Sequence, residues 1–228
     1  VSSTGMTPFW YSDDTKRNAG TTSFKATNCL QITTTVDMME RYVILILSYI
    51  LGSIPFSLII TRIKGINLRE IGSGNIGATN VARTGNKFLA ALALLLDSFK
   101  GFIAVYIAQQ FFDDNLCIYI SAILAVLGHM FPVWLKFSGG KGVATTLGIL
   151  IAFNIDITLV FVIIWIIVFL AFRYSSLASL SATSTAVAWS FFFQRNLFLT
   201  LLIIGALVFL KHHRNIVNLL QGKENKFL

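Results

Sequence analysis

Long apolar runs separated by short, mostly basic polar loops organise this chain. The runs fall at residues 42–61, 88–112, 116–135, 143–172, 177–193 and 197–210. Each of the first three is close to the ~20 helical residues that cross a hydrocarbon core. The fourth is too long for one upright span: its residues would measure ~45 Å as a helix against a core of ~30 Å. A turn at Asn154-Ile155-Asp156 divides it into two short spans. Parity favours that division, because it puts Arg173 and the tail from Lys211 to Lys226 on the same side as the other basic loops. Pro55 predicts a kink in the first span, and the brevity of the last two predicts tilt or local thinning. The expected fold is an all-α integral membrane bundle of about seven transmembrane helices, N-terminus outside and C-terminus cytoplasmic. The polar loops then gather on the cytoplasmic face.

Residues 1–37 lie outside this pattern. They are polar, rich in serine and threonine, and lack the basic start and apolar middle of a signal peptide. Met38-Met39-Glu40 then precedes the first apolar run as a start would. The expected organisation is a disordered, dispensable extension over 1–38 and a membrane domain over 39–228.

Composition agrees with the membrane class. Of 228 residues, 55% are hydrophobic and 12% charged, whereas soluble domains carry about 25% charged residues. The net charge of +8 resides in loops flanking apolar runs. That pattern fits inner-leaflet anchoring and anionic ligands, with no nucleic-acid partner. Cys29 and Cys117 have no metal-ligand or disulfide spacing, and no metal site is expected.

The chemistry concentrates in three polar segments. Residues 73–83 read S-G-N-I-G-A-T-N-V-A-R. Their small polar residues cannot cross lipid without unpaired backbone groups. They suit a loop over an anion, in which N–H groups converge and Arg83 forks a phosphate. A polar connector is the alternative. Residues 138–146, S-G-G-K-G-V-A-T-T, put three glycines around Lys141 directly before a helix, an anion nest beside a helix N-terminus. The loop is not a Walker A sequence, since Gly142 follows Lys141. The third segment, K-H-H-R-N-I-V-N-L-L-Q-G-K-E-N-K from Lys211, carries Ile216, Leu219 and Leu220 at helical spacing. It is expected to form an amphipathic helix on the inner surface, by itself compatible with simple anchoring. Asp97 and Lys100, three apart within the second span, share a face and can pair. A structural ion pair fits them as well as a catalytic role. A lone histidine such as His129 is more often a packed residue than a base.

Taken together, these residues resemble the bacterial acyl-phosphate:glycerol-3-phosphate acyltransferases, the PlsY family, from Met39 onward. G-S-G-N-I-G-A-T-N-V-A-R from Gly72 is similar to the family's first motif. G-G-K-G-V-A-T from Gly139, preceded by G-H-M-F-P-V, is similar to its second. His212, Asn215, Ile216, Gly222 and Glu224 match its third. Ser138 and Asn218 depart from the family pattern where a basic residue is usual. The resemblance implies transfer of an acyl chain from acyl phosphate to the sn-1 hydroxyl of glycerol 3-phosphate, giving lysophosphatidic acid and phosphate. It also implies the first step of phospholipid synthesis at the bacterial inner membrane, with an active site facing the cytoplasm and no cofactor. The implied catalytic residues are Ser73, Arg83, Lys141, His212 and Asn215. Asn75, Gly77, Thr79, Asn80, Gly139, Gly140, Gly142 and Ser176 would bind substrate, supported by Asp97, Lys100 and Glu224. His212 would act as phosphate ligand or base, oriented by Asn215, with His213 ranked behind it.

Rival readings fit less well. The His-x-x-x-x-Asp pair of other glycerolipid acyltransferases is missing, because Trp134, Val217 and Asn218 stand five residues beyond the histidines. CDP-alcohol phosphotransferases need clustered aspartates, and the bundle offers essentially Asp97. A transporter of a phosphorylated solute needs openings to both sides, whereas the motif residues collect at one.

Overall fold

The computed structural model describes residues 38–227. The expectation about residues 1–37 lies outside them. From Val43 onward the described residues form one compact unit, entirely helical and loop, with no strand among them.

Helix α1 covers 38–53, and Pro55 separates it from α2, Phe56–Ile63. The predicted kink is therefore a break, as expected where a ring replaces an N–H donor. A short helix α3, Ala78–Ala82, follows the first motif loop, and α4, Lys87–Phe111, comes next. Asn86 caps α4 by accepting from the Leu89 N–H at 2.9 Å, and Asp114 caps α5, Asn115–Met130, through the Leu116 N–H at 2.7 Å. α5 stops short of the predicted end of its apolar run because Pro132 forces an extended residue, followed by a 3-10 turn at Val133–Leu135.

The long fourth run is two helices, α6 (Val143–Phe153) and α7 (Ile155–Phe172). The break falls at Asn154, whose side chain accepts from the N–H groups of Asp156 and Ile157 at 2.8 and 3.3 Å. This is the N-cap that an asparagine favours. At 11 residues, α6 is only ~16 Å long, about half the ~30 Å core. The chain continues through α8 (Ser175–Phe193), α9 (Arg195–Lys211) and α10 (His213–Leu220). No residue of α10 is buried, and it bends away from α9 by 62°.

Among the described residues, four helical segments are long and apolar enough to cross a membrane, or five if α9 and α10 count as one bent span. α8 has the length, at 19 residues, but carries serine and threonine throughout. Ser179, Thr183 and Thr185 return their hydroxyls to the carbonyls four residues earlier at 2.8–2.9 Å. That pairing lets such a helix sit inside a bundle.

Packing closes a ring in the order α4, α6, α7, α8, α9, α5 and back to α4, with α2 and α3 against α4. Two crossings depend on glycine. A Cβ on Gly101 of α4 would overlap the Thr145 carbonyl of α6, and one on Gly148 of α6 the Ser98 carbonyl of α4. Gly52 and Gly128 meet the backbones of α5 and α1 in the same manner. In lipid, where helices gain little from hydrophobic burial, such close backbone approach supplies the packing.

Candidate active site

A cavity of about 900 Å³ opens among the three motif segments. Its polar wall includes Ser73, Asn75, Gly77, Thr79, Asn80, Arg83, Asp97, Lys141, Gly142, Ser176, His212, Asn215 and Glu224. Its apolar wall comes from Leu94 of α4, Leu147 of α6, and Phe161, Val162, Trp165, Ile166 and Phe169 of α7. Of the residues expected from sequence, Gly139, Gly140 and Lys100 stand behind the lining.

The first motif loop is shaped by glycines and tied by one asparagine. Gly72 and Gly74 have φ of 54° and 67°, the left-handed region that glycine enters without a Cβ penalty. Asn80 is buried. Its Oδ1 accepts from the Ser73 N–H at 3.2 Å, and its Nδ2 donates to the carbonyls of Leu68 and Ile71 at 2.9 Å each. Those three bonds commit the carboxamide to the loop itself. Ser73 is exposed at the rim, while Arg83, capping α3, donates to the Asn225 carbonyl at 3.1 Å.

The second loop lies against the end of α5. Gly139 and Gly140 donate to the carbonyls of Met130 and His129 at 3.1 and 3.0 Å. Their N–H groups therefore satisfy α5's last carbonyls instead of forming the expected anion nest. Glycine is required at both, because a Cβ on Gly139 would meet the His129 carbonyl and one on Gly140 the His129 ring. The donors that remain are at the start of α6. Gly142, with φ of 83°, is its N-cap and no side chain caps it. Its first N–H groups, carrying the positive end of the helix dipole, belong to residues lining the cavity.

The third segment crosses the mouth and fastens the other two. Lys141 Nζ donates to Asn215 Oδ1 at 2.5 Å, and Asn215 Nδ2 donates to Glu224 Oε1 at 2.7 Å. Ser176 Oγ donates to the same carboxylate oxygen at 2.7 Å. The Phe227 N–H reaches the Arg173 carbonyl at 2.8 Å, and its ring meets Phe169 edge-on at 5.5 Å. Asn215, expected to orient His212, thus orients Lys141. His212 is held instead by the Val208 carbonyl, 2.8 Å from Nδ1. Since a carbonyl only accepts, Nδ1 carries the proton and Nε2 holds a free lone pair.

Burial sets the charges. It pushes the Lys141 ammonium down from 10.5 to about 8, with Glu224 opposing the shift and Arg83 adding to it. Burial also pushes His212 down to about 4, assisted by the charge of Lys141 and opposed by the Val208 hydrogen bond and Glu224. At neutral pH a cationic Lys141 therefore stands with Arg83 beside a neutral imidazole.

Lys211, Arg214, Asn218, Asn225 and Phe227 also line the cavity, and sequence reasoning did not select them as site residues. For Arg214 the basic tail was a signal. For the apolar wall there was none, because α7 is apolar on every side and its cavity face has no period to reveal it. Among the described residues no group of three or more His, Cys, Asp or Glu could hold a metal ion.

Comparison with known proteins gives one consistent result. The family described as Glycerol-3-phosphate acyltransferase matches residues 42–222. A glycerol-3-phosphate acyltransferase of Wolbachia pipientis wMel is 94% identical over 190 residues, covering 83% of this chain and 99% of the relative. One from Ehrlichia canis (strain Jake) is 49% identical over 185 residues, covering 80% and 96%. The crystal structure of PlsY, an integral membrane glycerol 3-phosphate acyltransferase, in its glycerol 3-phosphate form superposes with a TM-score of 0.79 at 41% identity, covering 83% of this chain and 96% of that one. Its lysophosphatidic acid form gives 0.78 at 40%, with the same coverage.

Proposed function

The chain belongs to the glycerol-3-phosphate acyltransferase family, and on that premise we propose that it moves an acyl chain from acyl phosphate to the sn-1 hydroxyl of glycerol 3-phosphate. It is a multi-pass membrane acyltransferase whose acceptor is glycerol 3-phosphate, and lysophosphatidic acid is its lipid product. The observation that carries the reading is the cavity itself, in which basic side chains, Arg83 and Lys141 among them, and a helix N-terminus share the lining with a wall of apolar side chains. One end suits phosphate and the other an acyl chain.

The hydroxyl oxygen attacks the carbonyl carbon of the mixed anhydride. The bond between that carbon and the phosphate oxygen breaks, and the departing phosphate accepts the hydroxyl proton. Phosphate is a good leaving group, so no covalent acyl-enzyme is needed. The protein supplies alignment and charge. Arg83, Lys141 and the start of α6 hold phosphate, while Ser73, Asn75 and Thr79 contribute donors from the first loop and Ser176 steadies Glu224 from α8. Neutral His212 accepts a hydrogen bond from the attacking hydroxyl through Nε2, which aims it. Asn215 and Glu224 keep Lys141 in place, and Asn80 keeps the first loop in shape.

Seven spans with the N-terminus outside, α6 and α7 counted separately, put all three motifs on the cytoplasmic side of the bacterial inner membrane. The positive-inside bias of the loops supports this arrangement. The catalytic domain is assigned to 39–228 and residues 1–38 to a dispensable extension, in keeping with a family match that begins at residue 42. Product formation by purified protein in detergent, set beside solute uptake in proteoliposomes, tests the reading against the transporter alternative. Lysophosphatidic acid without uptake is expected. Uptake of glycerol 3-phosphate without product would overturn it.

A further inference from the structure

At the inner edge of the cavity, which Asp97 and His129 both line, a chain of buried polar side chains runs from the break in the first span to the second motif loop. Lys100 Nζ donates to the Ile54 carbonyl at 2.8 Å and pairs with Asp97 Oδ1 at 2.9 Å. Ser57 Oγ donates to the other oxygen of Asp97 at 2.7 Å. His129 Nδ1 lies 3.8 Å from Asp97 Oδ1, too far for a hydrogen bond but within electrostatic contact. The far edge of that ring faces the loop. A Cβ on Gly140 would overlap His129 Nε2 and press on the two ring carbons beside it.

These groups are deeply enclosed: Asp97 and Lys100 are 2% exposed and His129 is 6% exposed. Ionised side chains inside a membrane bundle are costly, and hydrophobic residues of similar volume would pack the same helices at least as well. Their cost is offset only if they fix something an apolar core would leave free. What they touch is the backbone one residue before Lys141. The Gly140 N–H is bound to the His129 carbonyl at 3.0 Å, so ring and backbone of one residue hold the turn from two directions.

We propose that His129 is a positioning residue for the acyl transfer reaction. Its ring, set by the Asp97–Lys100 pair, fixes the height of the Gly140 turn and through it the place where Lys141 holds a substrate phosphate. The inference rests on the reaction proposed above. It also gives Asp97 and Lys100 the task of setting that ring and explains why the loop has glycine at 140, where φ makes no such demand.

Gly140→Ala, His129→Ala and the double variant form the test, with KM and kcat for both substrates and melting temperature in detergent as readouts. Gly140→Ala drives a methyl into the ring and displaces the loop. A misplacement of ~1 Å costs about a hundredfold where geometry controls the rate. His129→Ala removes the support, and KM for one phosphate-bearing substrate rises about tenfold with a smaller change in kcat. In the double variant the methyl occupies space the ring has vacated, so it recovers at least about tenfold over Gly140→Ala, a coupling expected only of residues in contact. Should Gly140→Ala alone fail to fold, recovery of folding in the double variant is the same result. Penalties that simply add, leaving the double variant worse than either single one, overturn the inference. Glycerol 3-phosphate affinity by thermal shift across the four proteins reads the same coupling without turnover. Absence of lysophosphatidic acid from the unaltered protein would count against the reaction, and a coupled affinity pattern would still support the positioning role.

Discussion

Replacing Lys141 by alanine deletes one of the basic side chains that line the cavity. The Nζ donates to Asn215 Oδ1 at 2.5 Å in the empty site, and a substrate phosphate competes for the same ammonium. A hydrogen bond to a charged group is worth about 1.5–3 kcal/mol. At ~1.36 kcal/mol per tenfold, that is about a 10- to 150-fold loss in kcat/KM. The fold should survive, because Lys141 sits in a loop and Asn215 keeps its bond to Glu224 at 2.7 Å. The charge adds a pH signature. Burial holds the ammonium at about 8 in the free protein, so it is cationic below that pH and loses its proton above it. The profile of kcat/KM reports groups of the free enzyme. It should therefore fall as pH rises through about 8, with KM carrying the change. Lys141→Arg keeps its charge to far higher pH, so that limb should move out of range even if activity is reduced. The assay is initial rate of labelled lysophosphatidic acid formation between pH 6 and 10 in detergent. Near-normal kcat/KM in Lys141→Ala, or an unchanged alkaline limb in Lys141→Arg, would refute the assignment of phosphate charge to this residue.

Arg83→Ala should lower kcat/KM by about 10- to 150-fold on the same reasoning, measured in the same assay; normal kinetics would reduce the first loop to a connector. Gly148→Ala puts a methyl against the Ser98 carbonyl at the α4–α6 crossing. Overpacking of this kind costs about 1–3 kcal/mol, so a lower melting temperature in detergent is expected, and an unchanged one would contradict the close approach. Reporters fused after Lys87, Lys141, Ser176 and Leu228 should all read cytoplasmic. A periplasmic reading at Leu228 would separate the tail from the other two motifs.

The three segments that meet at the cavity were legible in sequence because each combines small polar residues with a fixed charge between apolar runs. The break at Asn154 was legible too, because the run is too long for one upright span and two spans keep the basic loops on one side. The way the groups are used was not. Gly139 and Gly140 looked like anion donors, but α5 ends beside them and its free carbonyls take their N–H groups. Asn80 looked like a ligand and braces its own loop. Asn215 belongs to Lys141 instead of His212 because the tail returns over the mouth and brings Glu224 with it. His129 read as a packed histidine, and its contact with Gly140 depends on tertiary geometry that no spacing encodes. Each of these is a question of which partner arrives first at a group, and residue type alone leaves that open.

The identity of the acyl donor tests the central claim most directly. Purified protein is incubated with labelled glycerol 3-phosphate and either palmitoyl phosphate or palmitoyl-CoA, with no metal or cofactor added. The cavity offers phosphate-sized donors beside an apolar wall, and the motif loops are short, with no platform for an adenine nucleotide. Lysophosphatidic acid should form from palmitoyl phosphate and not from the thioester. Product from palmitoyl-CoA at a comparable rate would contradict the account.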